Sequence, residues 1–189
     1  MKKIYYGKAV YDQKEINAVL NVLKNHSLSL IDGPHVKKLE NIVAKLFGKK
    51  YGLMVNSGSS ANLLALSSFK FKKGSEIITP ALTFSTTVAP IYQLGLIPHF
   101  IGVIENKFLA DPDQIEKCIN NKTVAIMIPN LLGNIADWFK IYKIAKKYKL
   151  KVIEDSADTI GYTVNKKIHG NFSDITTNSF YASHIINGA

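Results

Sequence analysis

Apolar residues recur at helical spacing in the first part of the chain and then give way to short apolar runs separated by amphipathic stretches. Between Asp12 and Asn25 the residues Ile16, Val19, Leu20, Val22 and Leu23 share one face of a predicted helix. Asp32-Gly33-Pro34 is a turn with a proline suited to a first helical position. The helix it opens places Val36, Leu39, Val43, Ala44 and Leu46 on its buried side. From Tyr51 the pattern changes. Strands are predicted at residues 52–55, 76–79, 97–103, 124–128, 152–154 and 175–180, with helices at 60–68, 86–94, 112–119 and 138–148. Such alternation needs crossover connections, and so a mostly parallel sheet between helices, an α/β fold. Ligands of these sheets sit at the carboxyl ends of the strands, where most of the polar clusters of this chain fall.

Composition narrows the class. With 47% hydrophobic and 20% charged residues over 189 positions, the chain is an ordinary globular sequence long enough for one sizeable core. No run approaches the ~18–20 apolar residues of a membrane span, and no apolar stretch behind Lys2 and Lys3 suggests a signal peptide. The lone Cys118 fits a reducing cytoplasm. The net charge of +10 comes from lysine alone, without an arginine. Arginine makes the bidentate contacts to phosphates and guanines, and Lys140, Lys143, Lys146, Lys147 and Lys149 lie on the outer face of a helix. A solvated basic surface is expected, without a nucleic-acid partner.

Several clusters carry chemistry. Asn56-Ser57-Gly58-Ser59-Ser60-Ala61-Asn62 follows a strand and opens a helix. Gly58 admits close backbone approach, and Ser59 and Ser60 offer hydroxyls and helix-start N–H groups that suit a phosphate; a plain N-cap reads equally from these residues. Val152-Ile153-Glu154-Asp155-Ser156-Ala157-Asp158 places acids at a strand end. They suit a protonated pyridine nitrogen, a metal ion, or simple solvation; no histidine cluster accompanies them, so no metal is expected. Phe84, after Pro80-Ala81-Leu82-Thr83, offers a ring for stacking or for the core. Asn130-Leu131-Leu132-Gly133-Asn134 reads as a turn with two amides, and His169-Gly170-Asn171-Phe172 as a turn or hairpin without a catalytic role.

Taken in order, these segments resemble the DegT/StrS family of sugar aminotransferases and dehydratases that depend on pyridoxal 5'-phosphate (PLP). The resemblance includes Asp32-Gly33-Pro34, Asn56–Ala61, Ile78–Phe84, Gly133-Asn134, Ile153-Glu154-Asp155 and the run from Gly170 to Ser179-Phe180. It implies the fold-type I PLP-dependent aminotransferase architecture, with residues 1–189 as a partial large domain carrying an N-terminal helical segment. The remainder of the large domain and a smaller C-terminal domain are then expected to be absent. Gly58, Ser59, Ser60 and Ser179 match the family's phosphate contacts. Phe84 matches the aromatic that stacks on the ring, and Asp155 the acid at its nitrogen.

Two departures come together. The aminotransferase lysine falls five residues after the serine, and His184 stands there. The glutamine three residues after the pyridine aspartate is replaced by Asp158. Both changes, with Leu132-Gly133-Asn134, resemble the branch of nucleotide-sugar 3-dehydratases acting on 4-keto-6-deoxyhexoses. That branch commonly has a second histidine and a Met-Gly-Glu-Gly-Gly-like run next, where this chain reads Ile185-Ile186-Asn187-Gly188-Ala189. The resemblance implies PLP or pyridoxamine 5'-phosphate (PMP) held without a covalent bond, and His184 as the proton-transfer group. It further implies a nucleotide-sugar substrate, deoxysugar or surface-polysaccharide biosynthesis, a homodimer, and an amino donor or electron-transfer partner. The alternatives are an aminotransferase that recruits Lys166 or Lys167, a noncatalytic PLP-fold protein, and a truncated coding sequence without independent activity.

Overall fold

The computed structural model describes residues 3–5, 7–25, 30, 33–164 and 166–186; Asp32 of the predicted turn and residues 187–189 lie outside them. Helices α1 (Gln13–Asn25) and α2 (Pro34–Leu46) form where the periodicity puts them, but their apolar faces are not covered. No residue of α1 is buried, and in α2 only Ala44 is, while Leu39 and Leu46 stay exposed. The pattern specifies a face that seeks cover; the described residues supply no layer over it.

The segment predicted as a strand at 52–55 joins no sheet. Its backbone is engaged by α2 instead. Met54 N–H donates to the Glu40 carboxylate at 2.7 Å, and a Cβ on Gly52 would lie 2.5 Å from the Glu40 carbonyl oxygen. That close approach requires glycine.

The other elements follow in chain order: α3 (Gly58–Ser68), β1 (Glu76–Pro80), α4 (Ser85–Gln93), β2 (Ile97–Ile101), α5 (Pro112–Cys118), β3 (Thr123–Pro129), α6 (Trp138–Tyr148), β4 (Lys151–Asp155), a short hairpin β5 (Thr163–Val164) and β6 (Lys167–Ile168), and β7 (Ile175–Thr177). Five strands pair in parallel in the order β2-β1-β3-β4-β7. The strands predicted to reach Val103 and Phe180 stop at Ile101 and Thr177, where the pairing ends. His169–Phe172 is a short 3-10 helix rather than a hairpin.

Alternation along the strands sorts the core into two layers. Ile78, Ile126, Ile128 and Val152 point toward α5 and α6, where Trp138, Ile141 and Ile144 complete one apolar cluster. Ile77, Ala125, Met127 and Ile153 point the other way and pack on Ala65 and Leu66 of α3 and Ile91 of α4. The chain steps outward from β1 to β2 and then returns to β3 on the other side of β1. That reversal makes a crevice at the carboxyl ends of the strands, the place such sheets use for ligands.

Candidate functional site

Strand β4 delivers two acids in succession, and the same alternation sends them to opposite faces. Glu154 follows Val152 toward the α5/α6 layer, and Asp155 follows Ile153 toward α3 and α4. Both are buried. Asp155 Oδ2 accepts hydrogen bonds from Asn62 Nδ2 and Thr87 Oγ1, each at 2.8 Å; among the described residues Oδ1 accepts only the Ala157 N–H, at 3.3 Å. Burial pushes the Asp155 carboxyl above the usual carboxylate range, against the pull of the Asn62 and Thr87 hydrogen bonds.

Helix α3 begins beside this carboxylate. Ser57 caps it, its hydroxyl accepting the Ser60 N–H at 3.1 Å and donating to Ser60 Oγ at 3.1 Å. A Cβ on Gly58 would come 3.1 Å from Cβ and 3.3 Å from Oγ of Ser179. The predicted phosphate residues Gly58 and Ser179, far apart in sequence, therefore face each other, with Ser59 exposed next to them. Phe84 is the residue before α4 and its ring is 67% exposed, so it is no core aromatic. An exposed ring at the start of a helix whose Thr87 holds Asp155 is free to stack on a planar ligand.

His184 lies beyond β7, its backbone N–H bonded to the Tyr181 carbonyl at 2.9 Å. Its Nε2 is 3.5 Å from Asp158 Oδ1, while Nδ1 is buried without a partner among the described residues. Asp158 Oδ2 in turn accepts the Leu132 N–H at 3.0 Å, holding a turn in which Leu132 (φ 56°) and Gly133 (φ 79°) are left-handed. His184, Asp158 and Leu132-Gly133, grouped from the sequence, are thus one contiguous set. Asp158 also faces Asp155, whose ionisation it opposes.

Sequence reasoning missed Asn62, Thr87 and Thr177, which organise Asp155, and misread the other face of β4. Glu154 is no solvated strand-end acid. One of its oxygens accepts from Ser156 Oγ (2.6 Å), Tyr162 OH (2.9 Å) and Asn130 Nδ2 (3.1 Å), and lies 2.5 Å from His169 Nδ1. Burial opposes its ionisation, but the His169, Ser156 and Tyr162 contacts outweigh it and hold Glu154 below the usual range. Asn130 is also buried, its amide oxygen accepting from Trp138 Nε1 at 2.9 Å and Ala136 N–H at 3.1 Å. The hidden signal was parity: Glu154 shares its face with core residues, so it had to be neutralised locally.

The basic surface is self-paired in part, with Lys140 on Asp113 and Lys147 on Glu116 between α6 and α5. Among the described residues no cluster of ligating side chains could hold a metal ion, and no helix is long and apolar enough to cross a membrane.

Known proteins are similar to this chain in sequence and fold. GDP-4-keto-6-deoxy-D-mannose 3-dehydratase of Yersinia pseudotuberculosis is 36% identical over 186 residues, covering 95% of this chain and 47% of that protein. dTDP-4-dehydro-2,6-dideoxy-D-glucose 3-dehydratase of Saccharopolyspora spinosa is 40% identical over 167 residues, covering 84% and 36%. The structure of the E. coli GDP-4-keto-6-deoxy-D-mannose-3-dehydratase with bound hydrated PLP superposes with a TM-score of 0.88 at 36% identity, over 96% of this chain and 48% of that one. The chain spans less than half the length of each of these relatives. The profile of the DegT/DnrJ/EryC1/StrS aminotransferase family matches residues 10–189, and the chain belongs to that family.

Proposed function

We propose that this chain carries the cofactor-binding part of a PLP/PMP-dependent nucleotide-sugar 3-dehydratase, and that the cofactor is held without a covalent bond. The observation that carries this reading is His184. It stands where the family's aminotransferases place their lysine, with Nε2 against Asp158 and Nδ1 unpartnered among the described residues.

The site fits the cofactor in its own terms. The close approach of Gly58 to Ser179, which a Cβ would crowd, sets the N-terminus of α3 beside the Ser179 hydroxyl, and together these suit a phosphate. The Asp155 oxygen with a single weak partner suits a ring N–H⁺, and the exposed Phe84 suits the ring face. When bound, the group supplies an amine for a ketone substrate and a protonated ring that accepts an electron pair. The chain's own residues do the rest. Asp155 keeps the ring nitrogen protonated by ion pairing. Asp158 lies against His184 Nε2 and orients the imidazole, which takes a proton and hands it to a departing hydroxyl.

Lys166 and Lys167, the candidates for a recruited lysine, are exposed on the β5–β6 hairpin. Its neighbours Tyr162 and Val164 pack on the α5/α6 layer, the face Asp155 turns away from. This supports the dehydratase reading over an aminotransferase. The substrate proposed is a nucleotide-linked 4-keto-6-deoxyhexose in deoxysugar or surface-polysaccharide synthesis in the cytoplasm, with a second copy of the protein as partner. Turnover uses glutamate as amino donor or an external electron donor.

Mass spectrometry of the sugar after incubation with PMP and either donor tests this. Loss of the C3 hydroxyl, abolished in His184→Asn while PMP binding changes by less than about threefold, is the expected result. Amine transfer to C4 would establish the aminotransferase reading, and substrate binding without turnover a noncatalytic role.

A further inference from the structure

Asn62 was given no role of its own in the phosphate motif that contains it, yet it is 2% exposed and bonds to three other elements around Asp155. From α3 its Nδ2 donates to Asp155 of β4 (2.8 Å) and to the Thr86 carbonyl of α4 (3.2 Å). Its Oδ1 accepts from Thr177 Oγ1 of β7 at 2.7 Å. The amide orientation is fixed by chemistry: a hydroxyl can donate to Oδ1, and a carboxylate next to the other end can only accept.

On the Asp155 carboxylate, Asn62 and Thr87 together occupy Oδ2 and leave Oδ1 with the long Ala157 contact. The groups facing Asp155 from α3, α4 and β7 are the neutral Asn62, Thr87 and Thr177. Its charged neighbour is Asp158, which acts in the same direction as burial, against ionisation. Two neutral donors are thus what holds a negative charge in a buried place until a cation arrives.

We propose that Asn62 is a positioning residue: it keeps the Asp155 carboxylate ionised, turns its free oxygen toward a protonated heteroaromatic nitrogen, and through its other bonds links that carboxylate to α4 and to β7, two residues before Ser179. The inference rests on the cofactor reading above for the identity of the cation, but its electrostatic half concerns the protein without ligand.

The test has two arms. In the ligand-free 189-residue chain, labelled with ¹³C in its aspartate carboxyls, Asp155 is assigned by its loss in Asp155→Asn and titrated by NMR. Asn62→Ala raises its midpoint by about one to two pH units, the effect of removing a hydrogen bond to the charged form. Thr87→Val, which removes the other donor at similar volume, does the same. Asn62→Asp retains the acceptor for Thr177 but replaces the donor with a like charge, and gives the largest shift. In the second arm, PLP binding followed by absorbance weakens at least about tenfold in Asn62→Ala, whereas inorganic phosphate competes alike against wild type and variant.

An unmoved Asp155 titration in both Asn62→Ala and Thr87→Val, with unchanged circular dichroism, overturns the proposal. Should either variant unfold, the other decides. Wild-type protein that fails to bind PLP would sink the cofactor reading, and the titration would still decide whether Asn62 sets the charge of Asp155.

Discussion

Glu154 and Asp155 leave the end of β4 on opposite faces, and their surroundings differ as much as their directions. The Glu154 carboxylate is fully engaged: a histidine, a tyrosine, a serine and an asparagine converge on one oxygen, with Tyr162 stacked 3.8 Å over the His169 ring. The Asp155 carboxylate is left half open, with two good donors on one oxygen and one long contact on the other. A buried carboxylate with saturated partners is a fastener; one with spare capacity is a receptor. The difference teaches which of two adjacent acids has capacity left for a ligand.

The contrast can be broken from either side. The largest effect is expected on the closed side: Glu154→Gln, which breaks the buried pair with His169, costs about 3–5 kcal/mol of stability in urea denaturation. An unchanged midpoint would mean that the network decorates the fold rather than fastening it. Asp155→Asn costs less than about 1 kcal/mol, since the amide oxygen still accepts from Asn62 and Thr87, but weakens PLP binding at least about tenfold by removing the charge. Equal stability losses in the two variants would erase the distinction.

Their proton linkages have opposite signs. Glu154 is depressed in the folded state, so its stabilisation is fully present above its unfolded value of about 4.3 and is lost as pH falls through the lower folded value. Asp155 is raised, so the folded chain binds its proton more tightly. Its contribution therefore falls as pH rises from the unfolded value of about 3.9 through the folded one. Denaturation across pH 3 to 7 (about that span) should show the acid-side loss diminish in Glu154→Gln and the neutral-side cost diminish in Asp155→Asn. The smallest effect belongs to Phe84→Ala. Stability stays within about 0.5 kcal/mol because the ring is exposed, while PLP affinity drops by about two- to tenfold through lost stacking.

Much of this was legible before any coordinates. The spacing of Ile141, Ile144 and Ala145 and the run Val152-Ile153 placed α6 and β4 because local period and burial agree there. The segment 52–55 misled because its apolar run looks like a strand, whereas Glu40 takes its backbone partner. In α1 the period gave the helix correctly but said nothing of what would cover it. At the candidate site, Gly58 and the strand-end acids were legible from the residues and Ser179 through family resemblance, and the structure sets Gly58 against Ser179. Asn62 was not, because its partner Thr177 is 115 residues away and a polar residue inside a helix carries no local mark. The closeness of His184 to Asp158 was likewise legible only as co-occurrence, until the turn held by Leu132 brought both into view.

The central claim is a PLP site with a histidine in the lysine's place. Its most direct test is borohydride reduction of the protein saturated with PLP, followed by peptide mass spectrometry. Wild-type protein is expected to bind PLP and yield no specific lysine adduct, whereas His184→Lys yields an adduct at position 184. A specific adduct on any other lysine of the wild-type chain would contradict the account.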